Sequence, residues 1–263
     1  MRRVRGAGAR RLPLALAALA LLASACAGGP AETLEPEALP PPFTYVAVGA
    51  SETVGIGADD PLTQSWPSVF HRTALARSAT LVNVGVSGAT VQEALARELQ
   101  PALAEEPRLV TVWLNVNDFV RQVPVARYER DLGTLVRALR RGGATDVLVA
   151  STPPVVDLPV VRACLPGGSG CPLPLGLPSA EAITEGVAGF NAAIARVAEA
   201  EGAVVVDLEA AAGGGIDPAL IAVDGFHPST EGHRRVAAAF SDALASLPSA
   251  AELRPPPGAA SAD

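Results

Sequence analysis

A parallel α/β fold, one sheet covered by helices, is what the sequence predicts, and three observations predict it. Short apolar, β-branched runs alternate with longer helix-patterned runs from residue 44 onward, the order that builds a parallel sheet from strand and helix units. The strand-like runs break into glycine-rich or short polar turns before a helical pattern resumes. No internal repeat is evident, and 263 residues with 18% charged residues fit one globular domain with a substantial core.

The first strand, 44–49, is the run Tyr45-Val46-Ala47-Val48-Gly49, and a helix is expected over 64–77. The second, 80–84, holds Leu81-Val82-Asn83-Val84 and precedes a helix over 90–99. The third, 109–114, is Leu109-Val110-Thr111-Val112-Trp113-Leu114, followed by a helix over 126–141. Gly142-Gly143 after Arg140-Arg141 stops that helix well, because cations sit near its negative end and glycine turns left-handed freely. Strands over 145–150 and 203–207 and helices over 181–200 and 229–246 complete the pattern. The proline- and glycine-rich stretch 151–179, which carries Cys164 and Cys171, exceeds the usual connection and suggests a binding loop or cover.

Residues 1–25 have the layout of a secretory signal peptide: Arg2, Arg3, Arg5, Arg10 and Arg11 precede an apolar run from Leu12 to Ala23, with small residues after it. The run is shorter than the ~20 residues a spanning helix needs. Ala23-Ser24-Ala25-Cys26 resembles a bacterial lipobox, whose cysteine becomes the lipidated first residue of the mature protein. The usual leucine three places before that cysteine is Ala23 here, with Leu22 one place further back. Residues 26–42 read as a proline-rich tether, 43–247 as the globular domain and 248–263 as a polar, disordered tail. An exported protein, held to the outer side of a membrane through Cys26, is expected. In that setting Cys164 and Cys171 most simply form a disulfide. Two free thiols fit less well, and a metal site less still, since no histidine lies nearby.

All 20 basic residues are arginine, which excludes a Schiff-base lysine, a P-loop lysine and a Ser-Lys dyad. Cleavage before Cys26 leaves 15 arginines against 27 acidic residues, a net charge of −12. Such acidity argues against nucleic acid as a partner.

The chemistry concentrates at four places. Asp224-Gly225-Phe226-His227-Pro228 sets a carboxylate three residues before one of 3 histidines, a spacing at which one tight turn holds acid against imidazole. The acid then fixes the tautomer and the far ring nitrogen takes a proton from a hydroxyl. Ser51, just past the first strand, is the candidate nucleophile, at the strand edge where open α/β sheets bind ligands. Gly85-Val86-Ser87-Gly88 follows the second strand and exposes backbone N–H groups. Asn115-Val116-Asn117-Asp118 follows the third and offers a side-chain amide to an anion.

In order, strand context and separation these four segments resemble the blocks of the SGNH hydrolases, or GDSL-type esterases and lipases. The resemblance implies a three-layer α/β/α sandwich around a five-stranded parallel sheet, flavodoxin-like in plan. It implies a triad of Ser51, Asp224 and His227. It also implies an oxyanion hole made by the N–H of Ser51, the N–H of Gly88 and the amide of Asn117, which agrees with the donors that acyl transfer needs. Two departures stand out. Gly49-Ala50-Ser51 replaces the usual Gly-Asp-Ser, so the hydrogen bonds of that aspartate are absent. Asn115 stands where block III usually begins with glycine, a mild change because asparagine tolerates left-handed backbone.

Other readings compete. Ser87 sits in an approximate nucleophile elbow, but Ala89 replaces its last glycine, and the compact Asp-x-x-His ending is foreign to that fold. His71 and His233 read as packing or surface residues, and Asp118 as a brace of its turn. Phe119 and Phe226 line an acyl pocket or simply pack. The expected activity is ester hydrolysis on a small-molecule, glycan or lipid ester, by a monomer, with no metal or organic cofactor required. Carbohydrate deacetylases, thioesterases and acyltransferases share the fold, and a non-catalytic lipoprotein that binds glycans or acyl groups stays open.

Overall fold

The computed structural model describes residues 40–172 and 177–256. The expected signal peptide, Cys26 and the tether as far as 39 lie outside the described residues, as does 257–263. The strands are β1 (Phe43–Gly49), β2 (Ala79–Asn83), β3 (Leu109–Trp113), β4 (Asp146–Ala150) and β5 (Val204–Val206). Each begins within one or two residues of its expected position. The helices are α1 (Ser51–Val54), α2 (Pro61–Gln64), α3 (Trp66–Ala74), α4 (Val91–Arg97), α5 (Leu99–Ala104), α6 (Val116–Val120), α7 (Val125–Arg140), α8 (Pro159–Cys164), α9 (Ala180–Glu201), α10 (Leu208–Ala211), α11 (Thr230–Leu244) and α12 (Ala250–Leu253).

The sheet is parallel throughout, in the order β2-β1-β3-β4-β5. The chain builds outward from β1 to β2, then returns to place β3 on the other side of β1. That reversal makes a switch point, the place where open α/β sheets leave a crevice at their carboxyl edge. Gly49 pairs with Trp113 in register, so Ser51 and Asn115, each two residues further on, emerge side by side at this crevice.

Successive side chains of a strand face opposite sides, and the two faces bury two clusters. Val46, Val48, Val110 and Val112 pack with Leu132 and Leu135 of α7 and Phe190 and Ile194 of α9. Tyr45, Ala47, Leu109 and Leu148 pack with Phe70 of α3 and Phe240 and Leu244 of α11. Trp66 stacks on Phe240 with ring centroids 4.2 Å apart. Helices thus cover both faces, as the sequence leads one to expect. α7 does stop before Gly142-Gly143, although Arg141 takes the first left-handed position, with φ 48°.

The long stretch after β4 is not structureless. α8 lies within it, Cys164 pairs with Cys171 in a disulfide, and Val155 and Leu158 join Val116, Ile183 and Val187 in a third apolar cluster. The disordered tail expected from 248 needs correction for its first part. Ala250–Leu253 is a helix, Leu253 is buried against the α3/α11 face of the sheet, and its carbonyl accepts the Ala76 N–H at 2.8 Å. Buried Leu253, the Ser249 hydroxyl on Asp146 and the Arg108–Glu252 ion pair anchor a segment whose composition is otherwise polar and proline-rich.

Candidate active site

Ser51 is the first residue of α1, directly beyond β1. Gly49 has no room for a side chain there, since a Cβ would run into Thr53 and the Trp113 carbonyl. Its N–H donates to Glu98 Oε2 at 2.8 Å. Glu98 is fully buried and its Oε1 lacks a partner among the described residues. Burial pushes its carboxyl up to about 8, against the pull of the Gly49 hydrogen bond and Arg97.

His227 reaches Ser51 from the far end of the chain. Its Nε2 lies 3.0 Å from Ser51 Oγ and its Nδ1 lies 2.6 Å from Asp224 Oδ2. The turn that sets this up is closed by Asp224 itself, whose Oδ1 accepts the N–H groups of Phe226 at 2.9 Å and His227 at 3.0 Å. Gly225 takes φ 73°, and a Cβ on it would crowd Val160, so the turn requires glycine. Partial burial raises the Asp224 carboxyl, but the hydrogen bonds from the His227 ring and from the two amides outweigh it and hold the group below its ordinary value. With Asp224 ionised, Nδ1–H donates to it and Nε2 is left to accept from the Ser51 hydroxyl.

The remaining expected residues gather at the same edge. Gly88, at φ 77°, is locked by Arg121 Nη2, which donates to its carbonyl at 2.9 Å. The N–H groups of Ser51 and Gly88 find no acceptor among the described residues. Asn117 Nδ2 donates one hydrogen to the Ala89 carbonyl at 3.1 Å, which fixes the amide and leaves its second hydrogen over. Asn115 adopts φ −159°, so left-handed tolerance is not what admits asparagine. Its Nδ2 instead donates to the Ala150 carbonyl at 3.2 Å and ties β3 to the end of β4. Asp118 accepts the Val91 N–H at 3.0 Å, bracing α4 rather than its own turn alone, and burial raises its carboxyl to about 6.

Ser87 is exposed, and the hydroxyl facing His227 Nε2 is that of Ser51. His233 is a buried packing residue that accepts from Trp66 N–H and faces the Ile56 carbonyl. Phe119 packs edge-on against Phe190. Phe226 lines a cavity of about 410 Å³ together with Trp113, Val116, Val155 and Leu158. One more residue lines it that the sequence did not single out. Glu52, next to the serine, is 6% exposed, and its Oε2 lies 3.4 Å from Ser51 Oγ. The signal was a lone charge in the first turn after the serine, easily taken for a solvated helix residue. Burial holds its carboxyl above the ordinary range, with its own N–H, the charge of His227 and the Ser51 hydroxyl pulling the other way.

Residues 47–235 match the sequence model of the GDSL-like lipase/acylhydrolase family. An arylesterase from Vibrio mimicus is 28% identical over 100 residues, which cover 37% of this chain and 50% of that protein. The match therefore spans about half of that relative's length. Among solved structures, the lipase/acylhydrolase from Enterococcus faecalis aligns with a TM-score of 0.59 at 19% identity, covering 81% of this chain and 98% of that one. The extracellular lipase from Streptomyces rimosus aligns at 0.58 and 21% identity, covering 76% and 99%. At these identities the structural likeness is one of fold.

Proposed function

The chain belongs to the GDSL-like lipase/acylhydrolase family, and from that premise we propose that it hydrolyses carboxylic esters with Ser51 as the nucleophile. The observation that carries this reading is the unbroken line from Ser51 Oγ to His227 Nε2 at 3.0 Å and from Nδ1 to Asp224 at 2.6 Å. His227 takes the serine proton as Ser51 attacks the ester carbonyl, and Asp224 stabilises the imidazolium. The carbonyl oxygen, now negative, is received by the N–H groups of Ser51 and Gly88 and by the Asn117 amide. His227 returns the proton to the leaving alcohol. Water, activated by the same imidazole, releases the acyl group.

The cavity beside Phe226 supports an apolar acyl or aryl substituent, since ester sites of this size bury the apolar body of a ligand and fix it with few polar groups. Deacetylation, thioester cleavage and acyl transfer use the same line of proton transfer. The export reading also stands as a proposal: the enzyme acts outside the cytoplasm, tethered through a lipid on Cys26. Its support is the arginine-rich start, the short apolar run and the small residues before that cysteine.

Kinetics on a short p-nitrophenyl ester test the reading. Ser51→Ala abolishes hydrolysis, and Ser87→Ala leaves most of it. The reverse result moves the nucleophile to the second strand and overturns the assignment.

A further inference from the structure

The hydroxyl that faces His227 also faces a second acceptor. Ser51 Oγ lies 3.0 Å from Nε2 on one side and 3.4 Å from Glu52 Oε2 on the other. A serine hydroxyl has one proton to donate and two lone pairs to offer. An ionised Glu52 is an acceptor only, so it competes with His227 for that proton. A neutral Glu52 carries its own O–H and donates it to a Ser51 lone pair, which leaves the serine proton directed at His227.

The surroundings of Glu52 favour the neutral acid. It is 6% exposed, it forms no ion pair with an arginine among the described residues, and it faces a mainly apolar cavity. An isolated carboxylate in such a place is costly. The charged groups on the cavity wall are otherwise occupied. Glu231 pairs with Arg234 at 2.7 Å, Asp217 caps the Ala219 N–H at 2.9 Å, and Arg235 donates to the Ala211 carbonyl at 3.0 Å. Asp224 stands behind the imidazole, and it is the charge of His227 that acts on Glu52. The contact of 3.4 Å is long for an O–H···O bond, so it is the weaker of the two that the Ser51 hydroxyl makes.

We propose that Glu52 is a positioning residue: as a neutral acid it donates to Ser51 Oγ and keeps the serine proton on the line to His227, and once ionised it draws that proton to itself and idles the site. The inference rests on Ser51 as nucleophile. It adds a group that acts through the serine and never touches the carbonyl carbon. It also gives the burial of an unpaired acid beside the nucleophile a purpose, since a leucine there fills the cavity wall at lower cost.

The test is kcat/KM of the full-length protein on a short p-nitrophenyl ester from pH 5 to 9.5, for wild type, E52Q, E52L and S51A. Wild type falls at the alkaline end as Glu52, raised by burial, ionises. E52Q keeps a donor and cannot ionise, so it stays within about threefold of wild type at the optimum, a loss smaller than that of a whole hydrogen bond, and loses the alkaline fall. E52L lowers kcat about tenfold, roughly the worth of one hydrogen bond, with little change in KM. An E52Q profile that falls at the same pH as wild type overturns the inference, as does wild-type kcat in E52L. If S51A is inactive while E52Q shows the wild-type fall, Ser51 stands and the role of Glu52 does not. A folded wild type without hydrolysis overturns both.

Discussion

Glu98 Oε2 accepts the Gly49 N–H at 2.8 Å, and so a carboxyl from the α4–α5 junction holds the end of β1 two residues before Ser51. Ala50 has no polar side chain to hold this turn, yet a carboxyl still braces it. The raised pKa of Glu98, about 8, means the fold keeps a proton that the unfolded chain gives up near the ordinary 4.5.

Stability follows from that difference. Between about pH 4.5 and 8 the folded state binds more protons than the unfolded one, so stability is greatest below that window and falls as pH rises through it. Denaturant unfolding at pH 5 and pH 8 is expected to show wild type less stable at the higher pH by about 1–3 kcal/mol. Glu98→Gln shrinks that difference, leaving the part due to Glu52 and Asp118, whose carboxyls are raised in the same direction. An equal difference in the variant would show that Glu98 is not the group that titrates.

On the proposed mechanism, Asn117→Ala removes one oxyanion donor and leaves Ser51 and His227 intact. The expected loss is about 10²–10³ in kcat with a smaller change in KM. A loss carried by KM alone would place Asn117 in ground-state binding and remove it from the oxyanion hole.

Much of this site was legible in the sequence because its parts are local. Ser51, Gly88 and Asn117 each follow a strand within a few residues, and Asp224 and His227 share one turn. The parallel order then brings them together. Glu98 was not legible, since it acts on Gly49 across 49 residues and its importance comes from burial, which no local pattern reveals. Glu52 looked like an ordinary acid in a first helical turn. α1, α6 and α10 span four or five residues each, too short for a 3.6-residue period to show. In α12 buried Leu253, the Ser249 hydroxyl on Asp146 and the Arg108–Glu252 ion pair order a segment that composition assigns to a tail.

The anchoring proposal is checked in the cell of origin or a host with the same export route. Cys26→Ser is expected to release the protein from the membrane fraction, and mass spectrometry of the wild type to find a lipidated Cys26 as the mature terminus. Unchanged fractionation together with an unmodified terminus would refute it.

The most direct test of the central claim is covalent. A fluorophosphonate probe reacts with a serine only where base and oxyanion donors are assembled around it. Peptide mapping of the labelled wild type is expected to find the adduct on Ser51 alone, with labelling lost in His227→Ala. An adduct on Ser87, or a folded protein that takes no label and hydrolyses no ester, would contradict the account.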